Sequence, residues 1–149
     1  QYLLDSEQSL ELYHSGKRTF ECTKLMLSIK VYLILKTYGE QIFGESVDQL
    51  HATAQTFADI LEDHPSFELC IRPEANIVNF RFVKEGVKDL NQLNGQIRQA
   101  LVENKQYYIV QTTINEKKYL STSLMNPLTT EKELRGLLDE LERLGNQLA

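Results

Sequence analysis

Apolar residues along the chain follow two spacings, one helical and one extended, separated by polar breaks. Tyr2 to Lys17 shows neither spacing, and Asp5, Ser6, Glu7, Ser9, Ser15 and Gly16 mark it as an exposed loop. From Thr19 the helical spacing sets in. Cys22, Leu25, Met26, Ile29 and Leu33 predict a helix over Thr19–Tyr38. It should end at Gly39, where a left-handed residue is needed. The apolar residues of this helix wrap more than one face, wider than a surface helix requires. A second helix is expected over Gln41–Asp63, with a stripe of Phe43, Val47, Leu50, Ala54, Phe57 and Leu61. His64-Pro65 stops it, because the ring of a proline pushes the preceding residue out of the helical region.

The spacing then switches to every second residue. Phe67, Leu69 and Ile71 alternate with polar neighbours, and after the turn Pro73-Glu74-Ala75-Asn76 so do Val78, Phe80 and Phe82. Asp89 caps a helix whose buried face is Leu90, Leu93, Ile97 and Leu101. Two further strands are predicted, Tyr107–Ile114 and Lys118–Met125, joined by a tight turn at Asn115-Glu116-Lys117. Asn126-Pro127 breaks the sheet. Thr130-Glu131-Lys132-Glu133 has the form of a capping box. Leu134, Leu137, Leu138, Leu141, Leu144 and Leu148 then form one stripe, which reads as core. The order implies an α+β module: a small antiparallel sheet with helices on one face.

Composition narrows the function classes. The chain has 149 residues, 42% of them hydrophobic and 25% charged, which supports one core and argues against disorder. The apolar stretch around Leu25–Leu35 is interrupted by Ser28 and Lys30, so no membrane span is expected. Net charge is −5 without long runs of one sign, which argues against nucleic-acid or anionic-membrane partners. Cys22 and Cys70 lie far apart and read as reduced thiols in a cytoplasmic protein. His14, His51 and His64 are equally scattered. No metal-ligand spacing, nucleophile elbow or phosphate loop is present. No secretory leader is expected, and a chain opening at Gln1 without Met reads as the middle of something longer.

Several segments, in order, resemble the group II pyridoxal-phosphate-dependent amino-acid decarboxylases of the aspartate-aminotransferase fold type. Gln1-Tyr2-Leu3-Leu4 is similar to their mobile catalytic loop. Arg18-Thr19-Phe20-Glu21-Cys22-Thr23-Lys24 follows, with Lys30 and Tyr32 where the family usually has Lys and Trp. Phe67-Glu68-Leu69 and Asn76 through Phe82 resemble the first two strands of the small C-terminal domain. Leu120 to Pro127, then Leu128-Thr129-Thr130 and the leucine helix, resemble its last strand and helix. The Asn126 to Thr130 stretch leans toward the bacterial diaminobutyrate type.

The resemblance implies that residues 1–39 are the tail of a large cofactor-binding domain and 40–149 the small domain. The helix Gln41–Asp63 would cross between them. In the family a His-Lys pair upstream supplies the Schiff-base lysine, and no His-Lys pair occurs here. The expectation is therefore a parent that uses pyridoxal phosphate and a fragment that binds none, holds no metal, and is inactive alone. The missing large domain and a second copy of the chain are its expected partners. Tyr2 matches the loop tyrosine thought to return a proton to Cα. Ser121 stands where many members carry an arginine that pairs with the substrate carboxylate, a position where serine offers only one neutral hydrogen bond. Leu27 replaces a residue often acidic in relatives. Arg18, Arg72 and Arg81 are the arginines that could approach a site, and each reads as a surface or helix-start charge. Two alternatives remain open: a catalytically silent dimerisation or regulatory domain, favoured by Ser121, and an unrelated α+β binding module.

Overall fold

In the computed structural model, which describes residues 27–149, these spacings become helices and strands in the expected order. The loop expected over residues 2–17, Tyr2 itself, Arg18 and the start of the helix expected at Thr19 lie outside the described residues. The chain divides between Ile42 and Phe43 into two units.

In the first unit, α1 (Leu27–Tyr38) ends at Gly39, whose φ of +80° is the left-handed cap the sequence called for. The Gly39 N–H donates to the Leu35 carbonyl at 3.0 Å. No residue of α1 is buried, and Ile29, Val31, Leu33 and Leu35 are all exposed.

α2 (Gln41–Glu62) starts at the division and runs into the second unit. Its apolar stripe is buried only from Ala54 onward, while Phe43 and Val47 are exposed. The sheet that follows contains β1 (Phe67–Leu69), β2 (Ile77–Phe82), β3 (Val110–Ile114) and β4 (Lys117–Ser123), in the order β1-β2-β4-β3 and antiparallel throughout. Between β2 and β3 lies α3 (Leu90–Glu103), and α4 (Glu131–Leu148) closes the chain. Asp89 caps α3 as expected, its carboxylate accepting from the Gln92 N–H at 2.9 Å.

Register decides which side chains meet. Phe80 pairs with Leu120 and Val78 with Thr122. The apolar members of these pairs join Phe57, Leu61, Ile97, Leu101, Leu137 and Leu141 in one core beneath the helices. Edge-to-face ring pairs fill its centre, with Phe57–Phe80 centroids 5.3 Å apart and Phe67–Phe82 centroids 5.7 Å apart. Gly145 is part of this packing, because a Cβ there would stand 2.5 Å from the Phe82 ring.

Two asparagines hold α3 to the sheet. Buried Asn94 accepts from the Phe82 N–H and donates to the Phe82 and Leu90 carbonyls, all within 2.9 Å. Asn91 accepts from the Lys118 N–H and donates to the Glu116 carbonyl, both at 2.8 Å, which pins the β3–β4 hairpin.

Several element ends differ from the expected ones. β1 stops at Leu69 and leaves Ile71 exposed. There the chain is drawn toward α2 by Arg72, which pairs with Asp59 and Glu62, and by Gln55, which donates to the Pro73 carbonyl at 2.6 Å. β3 begins at Val110 rather than Tyr107. β4 begins at Lys117, so the turn is Asn115-Glu116 alone, both with positive φ. β4 also ends at Ser123, and Met125 is exposed. Leu148, expected in the core, is exposed at the end of α4.

Candidate functional site

Ser121 lies on β4, a central strand, with Asn79 of β2 opposite it on one side and Val110 of β3 on the other. Successive strand residues point to opposite faces, so Ser121, Asn79, Tyr119 and Arg81 share the face turned away from the core. That face is not a solvated one here, since Ser121, Tyr119 and Arg81 are all buried. The expected surface role of Arg81 is thereby corrected. Strand alternation assigned it to water, but its guanidinium is held by Glu68, with Nη2 at 2.6 Å and Nε at 3.1 Å from one carboxylate oxygen. The same guanidinium sits 5.5 Å from the centre of the Tyr119 ring. Burial pushes the Tyr119 hydroxyl above its usual range, and neighbouring Cys70 adds to the shift. Two nitrogens of the Arg81 fork are thus committed to Glu68. Across from Ser121, the Asn79 Oδ1 is buried with no hydrogen-bond partner among the described residues.

Ser121 also borders a pocket of about 430 Å³ at the end of the β3–β4 pair. Ladder pairing stops at Val110–Ser121, and the diverging segments, residues 107–109 and 122–125, form two of its walls. The N-terminal turns of α4 form the third, with Glu133 and Leu137. Tyr107 approaches α4 closely, and a Cβ at Gly136 would stand only 2.9 Å from its hydroxyl oxygen. Glu133 is the capping-box carboxylate, accepting the Thr130 N–H at 2.9 Å and the Thr130 hydroxyl on the same oxygen. The Thr130 hydroxyl, aided by its backbone N–H, holds Glu133 below the usual carboxylate range. Sequence reading recognised Glu133 as a cap but not as a pocket wall, and it missed Tyr107, Tyr108 and Asn79. Only the three-dimensional divergence of β3 and β4 brings Tyr107, Tyr108 and Glu133 around one cavity, whereas Asn79 meets Ser121 through strand register.

Neither Arg72 nor Arg81 lines this pocket. Leu27 opens α1 and is exposed. Arg72 is a surface charge as expected, its pKa raised chiefly by its hydrogen bond to Asp59. None of the described lysines is buried, so none is enclosed as a Schiff-base lysine must be. No group of three or more potential metal ligands occurs among them, and no described helix is long and apolar enough to cross a membrane.

No protein-family model matches the chain. Curated relatives do. The L-2,4-diaminobutyrate decarboxylase of Acinetobacter baumannii is 23% identical over 138 residues, covering 89% of this chain and 27% of that protein. The aromatic-L-amino-acid decarboxylase of Bacillus atrophaeus is 21% identical over 153 residues, covering 100% of this chain and 32% of that protein. Among solved structures, the glutamate decarboxylase domain of diaminobutyrate-pyruvate transaminase and L-2,4-diaminobutyrate decarboxylase from Vibrio parahaemolyticus superposes with a TM-score of 0.77. It is 26% identical, with 81% of this chain and 26% of that one covered. The tryptophan decarboxylase of Catharanthus roseus, at 22% identity and a TM-score of 0.72, shares the fold. The chain thus spans about a third or less of the length of the curated relatives it matches. By sequence and by fold, its relatives are the group II pyridoxal-phosphate-dependent amino-acid decarboxylases, and it is their C-terminal part that it matches.

Proposed function

We propose that this chain is the C-terminal segment of a pyridoxal-phosphate-dependent amino-acid decarboxylase acting on a small acidic or diamino acid. The observation that carries the reading is the fold match at a TM-score of 0.77 over 81% of the chain. Residues 1–39 are then the tail of the large domain and 40–149 the small domain of a cytoplasmic homodimer. The Schiff-base lysine and the cofactor belong to the remainder of the parent, so the 149-residue chain releases no carbon dioxide by itself. In the parent, Tyr2 serves as proton donor to Cα, and Ser121 faces the substrate where relatives place an arginine. The test is production of a longer protein that contains this chain, with carbon dioxide release measured on acidic and diamino acids in the presence of the cofactor. Release from one of them is expected. In parallel, borohydride reduction of the 149-residue chain with the cofactor should label no single lysine, and a stoichiometric label would overturn the division of labour.

A second reading, a catalytically silent domain that serves dimer contacts or regulation, is favoured by one observation. Ser121 brings no charge to its position, and the nearby Arg81 is already paired with Glu68. A longer protein that folds and dimerises but releases no carbon dioxide from any of these amino acids would select it.

A further inference from the structure

The two edges of the sheet are built differently. β1 is three residues long, carries Glu68 and gives way to Pro73, all features that keep an edge strand from pairing with another chain. β3 has none of them. Residues 107–114 contain no charge, glycine or proline, and all but Gln111 are aromatic or β-branched. Among the described residues β3 pairs with β4 alone, and its Val110, Gln111 and Thr113 are exposed. The hairpin fixes which backbone groups point outward. With a two-residue turn, the closing pair Ile114–Lys117 exchanges both its hydrogen bonds, and bonded pairs then alternate along the ladder. Thr112 and Val110 therefore bond to Tyr119 and Ser121, whereas the N–H and C=O groups of Gln111 and Thr113 point away from β4. The Lys118 N–H, opposite Thr113, agrees with this phase, since it turns away from β3 to donate to Asn91.

We propose that the β3 edge pairs antiparallel with the β3 edge of a second copy of this chain, about a two-fold axis through Thr112. In that register Gln111 of each copy stands opposite Thr113 of the other, and the outward groups exchange main-chain bonds. Val110 lies across from Ile114 on both sides of the axis, in the more closely spaced kind of pair, and residues 110–114 bring no charge to oppose another. This register uses both outward residues and sets the two aliphatic side chains of β3 against each other. So short a ladder is a small interface, and the pair dissociates at roughly a few hundred micromolar. The inference rests on the strand itself and stands apart from the identity of the parent.

Hydrogen exchange of the 149-residue chain, followed amide by amide, reads this edge separately from any other contact between copies. Between about 0.02 and about 1 mM chain, exchange at Gln111 and Thr113 should slow about two- to threefold, while Val110 and Thr112 stay protected throughout. Thr113→Pro removes an outward N–H and leaves the bonds to β4 in place, as proline does at a sheet edge. It should restore fast exchange at Gln111 at every concentration. Thr112→Cys should close a disulfide with its own copy under mild oxidation, because a pair on the axis lies within the about 4.4–6.8 Å between Cα atoms that a disulfide spans. Thr113→Cys, diagonal to its counterpart at about 7–8 Å, should not. Fast exchange at Gln111 and Thr113 at every concentration, or slowed exchange that persists in Thr113→Pro, would overturn the proposal. So would protection independent of concentration, which would mean that another segment of the chain covers the edge. Should Thr113→Pro fail to fold, the cysteine variants decide, and equal crosslinking of both overturns the pairing.

Discussion

Asn94 sits mid-helix, where asparagine is a poor helix former, and its side chain satisfies both polar groups of the buried Phe82 backbone. Truncation to alanine would leave those groups without partners at a cost of about 1–3 kcal/mol each, partly relieved by relaxation. Asn94→Ala should therefore lower unfolding stability by about 2–4 kcal/mol in urea melts. Glu133 gives a pH-dependent counterpart. Its folded carboxyl value is depressed, so its contribution is present above the ordinary glutamate value and lost as pH falls through the depressed one. The stability advantage of the wild type over Glu133→Gln should accordingly shrink as pH drops below about 4, read from thermal midpoints across the acid range. The Glu133 cap was legible in the sequence and the Asn94 bridge was not. An asparagine inside a helical stripe carries no periodic signal, and the capping box showed what Glu133 accepts but not the cavity beside it. Ser121 was found through the family resemblance, whereas its burial and its neighbours Asn79 and Arg81 follow from strand register.

At the level of elements, the centres were readable and the ends were not. Helical spacing located α2, α3 and α4, and alternation located β2, because each buries one face against the core. Their limits depend on bonds between distant residues, such as the pairing of Arg72 with α2 that draws the chain out of β1. The β3–β4 hairpin illustrates the same limit. A two-residue turn with both φ values positive is type I′, in which glycine is favoured at the second position, yet Glu116 occupies it at φ +63°. Its carbonyl is kept by Asn91, a bond that any residue at 116 can form. Glu116→Gly should thus relieve left-handed strain of about 1 kcal/mol, minus part of the chain entropy that glycine adds. A rise in the thermal midpoint without change in fold is the expected result, and a fall would show that the turn is not strained.

For the whole molecule, the resemblance supplied what spacing could not, namely the kind of protein to which such a chain is similar. Spacing did anticipate the breadth of apolar surface on α1, which is exposed along its full length. Each aliphatic side chain left in water forgoes about 1.5–3 kcal/mol of possible burial, so association through this helix is favoured. The 149-residue chain should sediment as a dimer at micromolar concentration, and Ile29→Lys with Leu33→Lys should render it monomeric. A dimer that survives both charges would locate the contact elsewhere. The sheet order also governs how the chain reaches its native state. β1 with β2, and β3 with β4, are neighbours in sequence and can zip locally, within microseconds for a tight hairpin. The seam between them joins Phe80 to Leu120, forty residues apart, and must close across the whole of α3. Closing that loop costs entropy before any contact repays it, which makes the seam the slow step. Val78→Ala, within the seam, should then slow refolding in stopped-flow measurements, whereas Leu69→Ala at the outer edge should mainly hasten unfolding. The two halves of the sheet can be ready early, and the chain still waits for the join between them.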